Sequence, residues 1–192
     1  MIVCAAPRSG ATKYCLDLQE STGLEFIGEL NPMYMTSYGQ ENKKLPYHET
    51  LFQPSITKEQ YIDYIVNKDK YILLCNQASH LLIDQSDIVI LRKSLEDTLL
   101  SLANFLIKCR PYLGAEGIIQ HLHVTNQSIY GMLCYLSVYT KPIIWYEDHY
   151  NITGTNTDLI KNHKHGRFIF KEISNLATSN DAAYMIRDIY HG

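Results

Sequence analysis

Short apolar runs that alternate with stretches of helical period constrain this chain more than any other feature. Ile2–Ala6, Leu24–Ile27, Tyr71–Cys75, Asp87–Leu91 and Pro142–Tyr146 have the length of strands buried on both faces and are too short for helices. Between them lie Ala11–Thr22, closed by Gly23, and Thr57–Asn67, with Ser55 or Thr57 as N-cap and Gln60 placed for a capping box. Ser94–Cys109 follows, with Leu95, Thr98, Leu99, Leu102, Leu106 and Cys109 recurring at helical intervals. Thr125–Tyr139 reads as a helix that is apolar all round and therefore buried, then Phe168–Phe170 as a short apolar patch and Ala182–Tyr190 as a closing helix. The alternation predicts an α/β fold: three layers, α/β/α, around a central, mostly parallel sheet of four or five strands. No repeat or linker interrupts the 192 residues, so one domain over 1–192 is expected.

In an open parallel sheet, ligands sit beyond the carboxyl ends of the strands. The candidate loops are then 7–12, 28–30, 76–80, 92–94 and 147–149. Pro7-Arg8-Ser9-Gly10-Ala11-Thr12 is the most telling, because it leaves a strand and opens a helix. Its backbone N–H groups would face outward at the positive end of the helix dipole, a ready anion cradle. Arg8 adds a forked cation suited to phosphate or sulfate oxygens, Ser9 and Thr12 add hydroxyls, and Lys13 adds a second cation. The loop lacks the four-residue gap and the Lys-Ser/Thr ending of a Walker A motif, which speaks against a kinase-like enzyme holding a γ-phosphate and magnesium.

Charge and cysteine usage narrow the classes further. A net charge of −3 leaves no broad basic face for nucleic acid, and no apolar span of 18 residues exists for a membrane. The five cysteines are odd in number, show no Cys-x-x-Cys spacing and each lie in an apolar run, which reads as reduced core thiols in a cytoplasmic protein. Ile2–Ala6 has no basic segment before it, so it reads as a first strand rather than a leader. His121-x-His123 would face one way only if extended, and His163-x-His165 sits in a polar stretch. Neither has carboxylate or thiolate company, so no metal is expected.

A second element shapes the reading. "VILRKSLEDTLLSLANF" ends a strand at Arg92 and places Ser101 nine residues on, inside the next helix. Together with "PRSGAT" this resembles the sulfotransferase superfamily, in its bacterial and bacteriophage-encoded branch, whose loop is of the type Pro-Arg/Lys-Ser-Gly-Thr/Ser-Thr. "FIGELNP" is similar to the strand-to-Gly-Glu element of that family, and "IIWYEDHY" to the Tyr-Glu-Asp that ends a late strand.

The resemblance implies a P-loop-like fold and 3′-phosphoadenosine 5′-phosphosulfate (PAPS) as co-substrate, without a metal. It implies that Arg8, Ser9, Gly10, Ala11, Thr12 and Lys13 hold the 5′-phosphosulfate, with Arg8 also catalytic. Arg92 and Ser101 would hold the 3′-phosphate, and Glu29 would be the general base. His48 and His80 are alternative bases by position. The acceptor, a hydroxyl or amine, would be read by residues 31–55, with Pro32, Pro46, Pro54, Tyr34, Tyr38 and Tyr47, and by the polar segment 149–166. Three departures stand beside these matches. Ala11 replaces a usual hydroxyl, "YILLCNQASH" lacks the Lys many members carry, and no late Arg-Lys-Gly loop follows, with Lys161, Lys164 and Arg167 the nearest basic residues. They leave open a catalytically degenerate nucleotide-binding or interaction protein, of viral origin, on the same scaffold.

Overall fold

A computed structural model describes residues 1–29, 66–67, 69–75 and 83–179. The 31–55 insertion, nearly all of the helix expected over 57–67, the 76–80 loop, the closing helix expected over 182–190, His48 and His80 lie outside the described residues.

Five parallel strands form one sheet: β1 (Ile2–Ala5), β2 (Glu25–Glu29), β3 (Tyr71–Cys75), β4 (Ile88–Leu91) and β5 (Ile143–Trp145), in the order β2-β3-β1-β4-β5. Register is set residue by residue: Val3 lies opposite Leu74 on one side and Ile88 on the other, and Leu91 lies opposite Trp145. Strand alternation sorts the apolar side chains onto two faces. Val3, Ala5, Ile72, Leu74 and Ile90 point to the face covered by α1 (Ala11–Thr22), which contributes Ala11, Tyr14 and Cys15.

Ile2, Cys4, Leu73, Cys75, Val89 and Leu91 point to the other face. That face is covered by α2 (Leu95–Cys109) and α3 (Ala115–Leu136), whose buried residues join the same core. Three described elements follow β5: α4 (Tyr146–Tyr150), α5 (Asp158–Asn162) and α6 (Gly166–Ser179). Helices on both faces of a parallel sheet make the three-layer α/β/α arrangement, and a sheet covered on both faces explains why its strands read as continuous apolar runs.

Several sequence expectations shift. α3 begins ten residues before Thr125, so His121 and His123 lie on a helix and not on an extended segment with a common face. α3 is also not buried all round, since Val124, Tyr130 and Tyr135 are exposed, as is Val138 in the turn that follows it. Tyr146 opens a helix instead of ending a strand. The polar 151–165 stretch contains α5, and Phe168–Phe170 is part of a helix of 14 residues whose Ile169, Ile173 and Leu176 enter the core. None of the five cysteines forms a disulfide, and Cys4, Cys15 and Cys75 are buried as expected. Cys109 is half-buried and Cys134 is exposed. Burial pushes the Cys4 thiol up to about 12, partly offset by a hydrogen bond with Ser86, so it stays protonated and inert. Among the described residues no helix is long and apolar enough to cross a membrane.

If α6 is a wall of the core, truncating its buried side should be costly and truncating its outer side should not. Ile173→Ala, at a fully buried position, is expected to lower the unfolding free energy by about 2–5 kcal/mol in denaturant titrations. Phe168→Ala, at a position 55% exposed, should change it by no more than about 0.5 kcal/mol.

Candidate functional site

The chain leaves β1 toward β2 through α1 on one face, and leaves β4 toward β5 through α2 and α3 on the other. The carboxyl ends of β1 and β4 therefore diverge, and the crevice between them is the topological switch point of the sheet. Residues 6–10 and 92–94 line it.

The first loop is a tight turn. Ser9 N–H donates to the Ala6 carbonyl at 3.2 Å, with Pro7 and Arg8 as the central residues. Pro7 cannot take a positive φ, whereas Arg8 has φ 65°, the combination of a type II turn whose third position normally holds Gly or Asn. A non-glycine residue there carries roughly 1–2 kcal/mol of strain. Gly10 follows with φ 73° as the N-cap of α1. Its side without a Cβ is filled by the Tyr146 ring, which a methyl group at position 10 would overlap.

Among the described residues no side chain caps the amino end of α1. Gly10 offers no side-chain cap and the first turn holds no acidic residue. The first helical bond runs from Tyr14 N–H to the Gly10 carbonyl, at 3.1 Å, so the N–H groups of residues 11–13 have no partner within the helix. The Ser9 residue is only 1% exposed, and its hydroxyl is buried without a hydrogen-bond partner. At α2, by contrast, the Ser94 side chain accepts from Asp97 N–H at 3.1 Å, and Glu96 and Asp97 occupy the first turn. Of the two helix starts at this crevice, that of α2 is closed and that of α1 is open, with an orphaned hydroxyl at its foot.

Arg8 reaches into the crevice. Its guanidinium lies 4.6 Å from the Phe105 ring centroid, on α2. The side chain is solvent-exposed yet densely surrounded, as at a concave surface. This desolvation pulls the Arg8 pKa below its ordinary value, and the Arg92 charge pulls the same way. The two cations are therefore close enough to feel each other.

Arg92 is held differently. The residue is 6% exposed. Its Nε donates to Glu147 Oε1 at 2.8 Å, one terminal nitrogen donates to the Asp97 carbonyl at 3.2 Å, and the other lies 3.5 Å from the Gly154 carbonyl. Glu147 Oε2 accepts from Lys93 N–H at 3.0 Å, and Lys93 Nζ pairs with Asp148 at 2.5 Å. The other side of α4 meets α1. Tyr146 sits at Gly10, His149 packs edge-on to Tyr14, and the Tyr150 hydroxyl donates to Asp17 at 2.6 Å. Burial, then the bond to Asp17 and its charge, raises the Tyr150 pKa, so the phenol keeps the proton it donates.

The structure thus brings Arg8, Ser9, Gly10, Arg92 and the start of α1 around one crevice. Ala11 is buried, Thr12 is half-buried and Lys13 is exposed, with its Nζ 3.5 Å from the Tyr150 ring centroid. Ser101 is half-buried on the flank of α2 between Asp97, whose carbonyl accepts from Thr155, and Asn104, which donates to the Asn156 carbonyl. Glu29 is not brought to the loop by its backbone. Its Cα is in register with Leu74 and hence with Val3, two strands from β1, or roughly 10 Å sideways and 10 Å below Ala6. Tyr146 and Phe105 are the site residues that sequence reading misses. The Tyr-Glu-Asp string carries the first, and nothing local marks the second.

Two measurements test this geometry. Glu147→Ala leaves a buried guanidinium unpaired and should cost about 3–5 kcal/mol of stability, whereas Arg92→Met with Glu147→Leu should cost far less than the sum of the singles. At the strained turn, Arg8→Gly and Arg8→Ala lose the same guanidinium, yet the glycine variant should unfold later, by about 1 kcal/mol. No family model, curated protein or solved structure matches the chain, so the chemistry of this crevice rests on its own atoms.

Proposed function

We propose that the crevice between β1 and β4 binds the phosphosulfate end of PAPS on a P-loop-like turn, and that the chain passes the sulfuryl group to a hydroxyl or amine acceptor. The observation that carries this reading is the pairing of an uncapped α1 start with the buried, unpartnered Ser9 hydroxyl. Asn104 Oδ1 and Ser128 Oγ are also buried without partners, but only Ser9 lies beside an open helix start, and an orphaned polar group costs about 1–3 kcal/mol. A tetrahedral anion resting on the N–H groups of residues 11–13 would satisfy both.

The charge is matched to a ligand held without magnesium. Arg8 offers a planar fork beside the positive end of the helix dipole. In sulfuryl transfer the bond from sulfur to the 5′-phosphate oxygen breaks as sulfur bonds to the acceptor oxygen or nitrogen. The acceptor proton passes to a base, and the nucleotide leaves with one more negative charge on its phosphate. Arg8 and the α1 N–H groups are aimed at that growing charge, which is where preorganised donors stabilise most. Glu29 as base rests on the resemblance alone.

A second reading is favoured by one contact. All three guanidinium nitrogens of Arg92 face protein acceptors, so a ribose 3′-phosphate would have to displace Glu147 or a backbone carbonyl to reach them. That, with buried Ala11 in place of a hydroxyl, suits a protein that binds a phosphorylated nucleotide without turnover.

Thermal-shift titration tests the binding that both readings share, and sulfate transfer from PAPS, present in the first and absent in the second, separates them. Adenosine 3′,5′-bisphosphate at a hundred times its Kd should stabilise the chain by about 2.7 kcal/mol, with no comparable effect of ATP or GTP plus magnesium. Ser9→Ala and Arg8→Ala should each weaken that binding at least tenfold. Arg92→Ala should erase the preference over adenosine 5′-phosphate, and equal loss for both nucleotides would remove Arg92 from the ligand. Sulfate transfer from PAPS that Glu29→Gln leaves undiminished would dismiss Glu29 as base.

A further inference from the structure

From Gly117 to Thr140 the chain has no Asp, Glu, Lys or Arg, yet α3, which spans most of this stretch, is not an interior helix. Ile118, Leu122, Ile129 and Leu136 turn inward. On the opposite side Val124, Tyr130, Cys134, Tyr135 and Val138 face solvent, with Tyr130 51% and Val138 74% exposed. These positions fall on one half of the helix circumference, with Gly131 at its centre. A solvent-facing helix normally carries charge all along its outer side, and this one carries it only at Glu116, in its first turn.

We infer that the outer face of α3 is an interface with a second copy of this chain, packed across a twofold axis. The argument for that occupant is electrostatic. A twofold axis sets a surface against itself, so like charges meet unless the surface has none. A face free of charge from residue 117 to residue 140 is compatible with itself over that length, but offers nothing by which to select a charged protein partner. The single imidazole at its edge, His123, is already bound to Glu172 at 2.8 Å. A membrane surface would call for a rim of Lys and Arg along the same helix, which is missing between residues 117 and 140.

The area is of the right order. Three tyrosines (Tyr139 stacks on Tyr135) and two valines expose on the order of 500 Å², and the uncharged Gln120, Gln127 and Cys134 bring the face toward the ~800 Å² per partner of a stable complex. Gly131 lets the two helices approach closely at the centre. Cys134 then lies near the axis, opposite its copy.

Sedimentation velocity on the full chain, between about 1 and 50 µM, tests this. Twice the chain mass of 22.1 kDa is expected for the wild type, falling to the single mass for Tyr130→Glu and for Val138→Glu with unchanged circular dichroism. Mild oxidation should link two chains through Cys134, and Cys134→Ser should abolish the link. A wild-type monomer across this range overturns the inference, as does a dimer that survives both glutamate variants. A monomer in which Val138→Glu lowers the melting temperature overturns it in favour of cover from within the same chain.

Discussion

The buried ion pair between Arg92 and Glu147 is the constraint on which the site depends. It joins the end of β4 to the first turn of α4, across elements 55 residues apart in the chain. Because α4 is a single short helix, fixing Glu147 and Asp148 on one side fixes Tyr146, His149 and Tyr150 on the other. Those three residues meet α1 at Gly10, Tyr14 and Asp17. The first loop therefore gets its shape from two directions: from the turn at Pro7 and Arg8 below, and from the Tyr146 ring pressed onto Gly10 beside it. Such a pair adds little net stability against an apolar substitute, but it is costly to break by halves, which makes it a device for position more than for strength.

Much of the fold is legible in the sequence where local and global signals agree. α1 runs over Ala11–Thr22 and ends on Gly23 in the left-handed conformation, as its composition indicates. β3 is the run Tyr71–Cys75, and Ser94 caps α2. Where the signals disagree, the sequence misleads. The apolar spacing Ile169, Ile173, Leu176 is helical, but Gly166 and a polar, histidine-rich approach hide the start of α6. Likewise Gln120, His121 and His123 interrupt the run that Ile118 and Leu122 begin in α3. Charge-free composition over 117–140 reads as burial, although a helix can be apolar all round because something outside the fold covers its second face.

The candidate site is legible to a different depth. Arg8 through Lys13 can be placed by the rule that a strand–loop–helix junction exposes N–H groups, and the structure keeps them there. The pairing of Arg92 cannot be read the same way, since Glu147 becomes its neighbour only through the β4–β5 register of Leu91 against Trp145. Nor can Phe105, which meets Arg8 because α2 flanks the crevice. Tertiary partners decide whether a cation is free to meet a ligand, and spacing along the chain does not carry that information.

The strongest reason to regard the β1–α1 loop as a binding element is that its irregularities coincide. Within residues 8–11 there is an arginine in a backbone conformation that suits glycine, a serine hydroxyl buried without a partner, and a helix start with neither a cap nor an acidic first turn. Each alone has innocent explanations. Their coincidence does not follow from any weakness of the fold, because the start of α2, across the same crevice, follows every local rule. That asymmetry across one crevice is what the proposed polar ligand would account for. The sign proposed for it follows from the groups left open, which are N–H donors, a hydroxyl and a guanidinium and which call for an anion.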